Sequence, residues 1–267
     1  MKRHIRFFSA ALILAFVLSV FTGCSLQFDD MADLIDIIFG LLNGEETDSP
    51  STVPGNSASG VNILTDKLDH TLFDGENAYV IINDGVPFFT DDEITTKSFE
   101  TYGELDSLGR CTVCFACVGI DLMPTDSRES ISSVYPTGWK LNGKSNNNKY
   151  DFVDGGYIYN RCHLIGFQLT GENANERNLI TGTRSLNIDG MLSFENMIAD
   201  AVKEDGLHVM YRVTPIYIGD NLVAEGLLLE GYSVEDRGET IEFCVFSPNV
   251  QPGVEINYAT GENRLAK

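Results

Sequence analysis

The chain predicts an α+β domain with a central, mostly antiparallel sheet. Two kinds of pattern carry that reading. Several runs alternate apolar and polar residues with a period of two and are separated by short polar turns, as strands with one covered face do. A single stretch instead spaces its apolar residues, Leu192, Met197, Ile198, Ala201 and Val202, at roughly helical intervals, which predicts an amphipathic helix over about residues 188–203. At 267 residues the chain is long enough for one large domain with a proper core.

Taken in order, residues 1–23 combine Lys2, Arg3 and Arg6 with an apolar run from Phe7 to Phe21, the pattern of a signal peptide. Thr22-Gly23-Cys24 resembles a lipoprotein box, so cleavage is expected before Cys24 and a lipid on its sulfur. That implies an exported protein anchored to the outer face of a bacterial cell membrane, with plain secretion as the alternative. Residues 25–43 could form a short amphipathic helix. Residues 44–60, rich in Ser, Thr, Gly, Pro and acidic side chains, read as a flexible tether, so that 24–60 is an anchored linker and 61–267 the folded domain.

Within that domain Ala78 to Asn83 is a β-branched run bounded by Asn83-Asp84-Gly85, which predicts a hairpin with Val86 to Thr90 as partner. Phe99 to Leu105 and Cys111 to Ile120 follow, the second apolar on both faces and expected inside the sheet. His70 is read as surface. Met123 to Lys149 is a long loop, a feature that tends to be functional or mobile, and it carries the sole tryptophan, Trp139, expected to pack beneath the loop. Later, Leu207 to Ile218 sets Val209, Tyr211 and Val213 against His208, Met210, Arg212 and Thr214, a half-buried strand. Gly219-Asp220-Asn221 turns into Leu222 to Glu230, Ile241 to Phe246 completes the sheet, and the last residues read as a loose end.

Cys111, Cys114 and Cys117 suggest a metal knuckle only at first sight. In a regular strand 111 and 117 face one way and 114 the other, so buried thiols are expected instead. The five cysteines after Cys24 cannot all pair.

Net charge is −21, which opposes a large electrostatic grip on nucleic acid. The stretch from Thr137 to Asn187 runs the other way, with six basic residues to four acidic ones. Lys149 and Arg184 are its candidates for binding an anionic substrate.

Tyr157 to Ala199 concentrates the chemistry. A short β-type run delivers Arg161 and His163 to one side of a strand end, so a cation able to grip phosphate and an imidazole able to take a proton share a face. Asn187 stands where the helix is expected to begin, in a cap position, and Glu195 lies eight residues on, about 80° around the helix. Amide and carboxylate oxygens are hard donors of the kind Mg²⁺ accepts. Cys162 adjoins His163, but neighbouring strand residues face opposite ways, which disfavours a Cys-His nucleophile.

The tetrad Asn160-Arg161-Cys162-His163 resembles the Asp-Arg-Gly-His signature of the DNA/RNA non-specific endonucleases, the ββα-metal nucleases. The continuation HLIGFQLTGENANERNLITGTRSLNIDGMLSFENMIAD is similar to the Gram-positive DNA-entry branch. The resemblance implies a ββα-metal site and hydrolysis of DNA, with RNA as a second substrate, leaving 5′-phosphate ends. It makes His163 the general base, Asn187 the direct Mg²⁺ ligand (Mn²⁺ substituting) and Glu195 the holder of metal-bound waters, while Arg161 steadies the transition state. Asn160 and Cys162 depart from the signature. Asn160 and Asn178 are assigned supporting roles. The alternative is a surface receptor that binds nucleic acid without cutting it.

Overall fold

The computed structural model describes residues 67–139 and 149–267. The leader, Cys24, the tether and the expected domain start at 61 lie outside the described residues, as do Lys140 and Lys144. Strands β1 (Val80–Ile81), β2 (Phe99–Tyr102) and β3 (Cys114–Val118) come first, then β4 (Tyr159–His163), the one-turn helix α1 (Phe167–Thr170) and β5 (Leu179–Thr183). A π-helical turn, Leu186–Met191, runs directly into helix α2 (Leu192–Glu204). Strands β6 (Val209–Ile216), β7 (Gly226–Ser233), β8 (Glu242–Pro248), β9 (Val254–Asn257) and β10 (Glu262–Leu265) complete the order.

Six strands form one sheet in the order β1-β8-β7-β6-β3-β2, every neighbouring pair antiparallel. Strands β4 and β5 form a separate antiparallel pair that leads into α2, which makes a ββα unit. The main core fills the space between this unit and the sheet. Ile198, Ala201 and Val202 of α2 meet Tyr211, Val213, Leu227 and Leu229, each large apolar side chain contributing about 1.5–3 kcal/mol by its burial. Asn249, fully buried just past β8, ties the unit down: it donates to the carbonyls of Thr181 and Ala224 and accepts from the Thr183 amide.

Several expectations change on contact with the fold. β6 is buried on both faces, because residues 88–95 cover the side that reads as polar. Arg212 there lies beside the stacked rings of Phe89 and Phe115, at 4.7 and 5.5 Å, and is bonded to Glu230 and Glu93. No hairpin forms over residues 78–90. Asn83, Asp84 and Gly85 all take positive φ (50°, 54° and 84°), three in succession where a two-residue turn needs two, and β1 pairs with β8 instead. The chain end is not loose, since β9 and β10 form a hairpin whose Val254 and Ile256 pack with Tyr150, Val153 and Ile158. His70 is no bare surface residue: its ring stacks on Tyr258 at 4.4 Å and bonds the buried Glu225 carboxylate, which raises its pKa.

All five described cysteines are free and buried. Residue 111 precedes the regular strand, so Cys111 and Cys114 share the core side, against the carbonyls of Leu179 and Arg177, while Cys117 faces Thr95 across the sheet. Burial pushes the Cys111 and Cys117 thiols up to about 12, so they stay protonated and inert.

Candidate active site

The ββα unit opens onto a cleft of about 540 Å³ at the junction of β4, the start of α2 and the loop before residue 140. His163, at the end of β4, is 6% exposed. Its Nε2 lies 2.9 Å from the Asn173 carbonyl oxygen. A carbonyl only accepts, so Nε2 carries the hydrogen and Nδ1 keeps its lone pair. Nδ1 faces the Arg128 guanidinium at 3.4 Å. Burial, with Arg128 adding to it, lowers the pKa of His163 below its ordinary 6.5, and the Asn173 carbonyl only partly opposes this. The ring is therefore a neutral base at neutral pH.

Two contacts clip the end of β4 to the helix on either side of His163. Cys162 Sγ donates to Asn187 Oδ1 at 3.2 Å, and the Gly166 amide donates to Glu195 Oε1 at 2.8 Å. Because 162 and 166 bracket 163, they bring the imidazole, the carboxamide and the carboxylate to one cleft, and all three line it. Position 166 must be glycine for this, since a Cβ there would lie 2.5–2.7 Å from the Glu195 carboxyl atoms. Asn178, fully buried, holds the bend after His163 by accepting from the Ile165 amide and donating to the Ile165 carbonyl. Cys162 is a strut: its buried thiol is pushed far above the usual range, so no thiolate nucleophile stands beside His163.

Asn187 is not a helix cap. It lies inside the π-helical turn, one residue past its start, and Ser247 Oγ donates to Gly190 O to hold that widened turn open at the sheet edge. Such turns recur at functional sites because the extra residue re-aims side chains.

Glu195 is 8% exposed, and among the described residues no Lys or Arg nitrogen pairs with it. Burial raises its pKa to about 7, against the Gly166 amide, Arg128 and Gln168, which pull it down. A buried carboxylate without a counter-ion, beside an amide oxygen on the same helix, suits a hard divalent cation. No group of three or more His, Cys, Asp or Glu side chains converges among the described residues, in this cleft or outside it. With so few protein donors, an ion held here keeps several waters.

The remaining residues singled out in the sequence divide. Arg161 lines the cleft, but its Nε and a terminal nitrogen donate to the carbonyls of Val134 (2.5 Å) and Ser132 (3.1 Å), and its plane covers Trp139 at 4.3 Å. It is engaged in pinning the loop that forms the cleft wall. Trp139 accordingly packs against Tyr150 and Ile158 on the loop's underside. Arg184 lines the cleft and pairs with Asp154 at 2.7 Å; Asn160 lines it as well. Lys149 does not join them, its ammonium lying over the Tyr157 ring at 4.5 Å outside the cleft lining. Sequence reading missed Arg128, whose guanidinium stands at the Nδ1 face of His163. Only its place in an unusually long loop could have drawn attention to it.

A family model for DNA/RNA non-specific endonucleases matches residues 90–234, more than half of the chain. The chain belongs to that family. Among solved structures the endonuclease is similar to NucA from Streptococcus agalactiae with a magnesium ion bound, at 23% identity, a TM-score of 0.60 and coverage of 79% of this chain and 97% of that one. The same protein with no metal bound matches at 22% identity and a TM-score of 0.59, covering 81% of this chain and 100% of that one. Sda1 nuclease with bound zinc matches at 23% identity and a TM-score of 0.57, covering 72% and 96%. These likenesses establish the shared ββα-metal nuclease fold.

Proposed function

We propose that this metal-dependent endonuclease cuts DNA, and RNA as a second substrate, outside the cell and without sequence preference, using Mg²⁺ with Mn²⁺ as a substitute. The observation that carries the reading is the meeting of a neutral His163, Asn187 and an uncompensated Glu195 in one cleft. The magnesium ion bound in the NucA structure agrees with the hard oxygen donors here. The three arginines that line the cleft, Arg128, Arg161 and Arg184, answer the objection from net charge, because the field a phosphate meets is local.

In the proposed mechanism Nδ1 of His163 takes a proton from a water as its oxygen bonds phosphorus. The bond from phosphorus to the 3′ oxygen breaks in line, and that oxygen collects a proton from solvent, leaving a 5′ phosphate and a 3′ hydroxyl. The Asn173 carbonyl fixes the tautomer this requires and keeps the ring aimed. Arg128, free to leave Nδ1 when phosphate enters, would hold a non-bridging oxygen and keep the imidazole unprotonated between turnovers. Arg161 would act by holding the cleft wall through Ser132 and Val134. Asn187, and Glu195 through waters, would hold the ion, which when bound offsets phosphate charge and stabilises the departing oxygen.

Incubating the protein with supercoiled plasmid in Mg²⁺, with EDTA as control, tests the reading. Nicking followed by general degradation, lost in EDTA and in His163→Ala, is expected. Intact plasmid retarded in a gel would favour a non-cutting receptor. Anchoring through Cys24 belongs to the same proposal, and loss of membrane association in Cys24→Ala would support it.

A further inference from the structure

We propose that Asn160 and Arg184 form a second phosphate subsite in the cleft, for a non-scissile phosphate adjoining the one at His163. The inference rests on the nuclease reading and adds to it a minimum substrate: a strand with two consecutive phosphates. Nδ2 of Asn160 and Nε of Arg184 are both buried with no hydrogen-bond partner among the described residues, and both side chains line the cleft. Buried N–H groups are almost always satisfied, and leaving one unpaired is costly. Two such donors on side chains of one cleft, each covered in the fold, point to an acceptor met when the side chains turn toward a ligand.

The β4–β5 ladder sets these donors side by side. Asn160 is opposite Gly182, and the Arg184 amide donates to Ile158 O at 2.7 Å, so the pairing continues to Arg184. Arg184 is thus the diagonal neighbour of Asn160 on one face, about 7–8 Å away, close enough for one tetrahedral anion to meet both side chains. Cys162 shares that face and reaches Asn187, so the subsite adjoins the amide end of the site. The arginine's existing partner, Asp154, has a side chain 81% exposed, and a surface pair of this kind yields readily to a phosphate. The amide at 160 matters too. An aspartate there, as in the family signature, would put a carboxylate on the diagonal from Arg184 and repel the anion, whereas Asn160 offers it a donor.

The test compares kcat/KM for a short thymidine oligonucleotide with that for bis(p-nitrophenyl) phosphate, a single phosphodiester that cannot fill a second subsite, both in Mg²⁺. In Arg184→Gln and in Asn160→Ala the ratio of the two should fall about tenfold, carried by KM for the oligonucleotide. Asp154→Asn, a surface change that frees Arg184, should lower that KM about twofold, and serves if Arg184→Gln fails to fold. A ratio unmoved by the variants, a KM that does not fall in Asp154→Asn, or an equal loss on both substrates overturns the subsite while leaving the nuclease reading intact. A wild type that cuts neither substrate overturns both.

Discussion

Glu230 and Glu195 are both buried glutamates in one domain, and their surroundings could hardly differ more. Glu230, on β7, is fully buried and grips the Arg212 guanidinium with both oxygens, at 2.7 and 2.8 Å, while one oxygen also accepts from the Phe88 amide. Its charge is cancelled within the fold. Glu195 is nearly as buried yet has a backbone amide where Glu230 has a guanidinium. A carboxylate buried without a counter-ion costs stability. The contrast separates a charge used to build the sheet from one with no cationic partner among the described residues, a partner that the proposed metal role would supply.

Glutamine at the two positions should therefore act in opposite directions. Glu230→Gln takes from the buried Arg212 its two-pronged partner and leaves it the Glu93 carboxylate alone; it should cost about 3 kcal/mol, seen as a fall of roughly 10 °C in the unfolding midpoint. His163→Ala should leave that midpoint near the wild type's but lower plasmid cutting by roughly 10²–10⁴-fold, the usual worth of a positioned base. Equal loss of stability in the two variants would erase the distinction between a side chain that builds the sheet and one that serves the cleft.

Glu195→Gln should stabilise the metal-free protein at pH 8, on the order of 2 kcal/mol. The sign follows from linkage. The native state, with Glu195 raised to about 7, holds its proton to higher pH than the unfolded chain does, so its contribution is full below the unfolded value and lost as pH rises toward 7. Thermal melts of both proteins from pH 5 to 8 should converge at the acid end. His163 runs the other way. Its pKa is lowered, so with saturating metal the acid limb of kcat should fall below pH 6.5, and a limb above that value would contradict the burial argument. Arg161→Lys, which cannot span both loop carbonyls or cover Trp139 with a plane, should raise KM several-fold with a smaller change in kcat.

The sequence disclosed what local periodicity and short motifs can carry. β3, β6, β7, β8 and α2 were legible from their patterns, and the meeting of His163, Asn187 and Glu195 at one cleft from their order, their spacing and the family resemblance. What escaped depends on chain-distant partners. The coverage of β6 by residues 88–95 rests on Arg212 meeting Glu93 and Phe89, more than a hundred positions earlier. The engagement of Arg161 depends on carbonyls of residues 132 and 134, and a backbone oxygen leaves no mark in composition. Arg128 sits in an irregular loop, where no period singles out one cation. The terminal hairpin was overlooked because Glu255, Asn257, Glu262 and Arg264 on β9 and β10 mask a weak alternation that only packing against Tyr150 and Ile158 makes decisive.

The most direct measurement is a Mg²⁺ titration of the thermal midpoint for wild type, Glu195→Gln, Asn187→Ala and His163→Ala. A midpoint that climbs with Mg²⁺ in wild type and His163→Ala, and stays flat in the other two, is the predicted result. A Mg²⁺ response that survives loss of both Glu195 and Asn187 would mean the ion binds elsewhere and that Glu195 is not its holder.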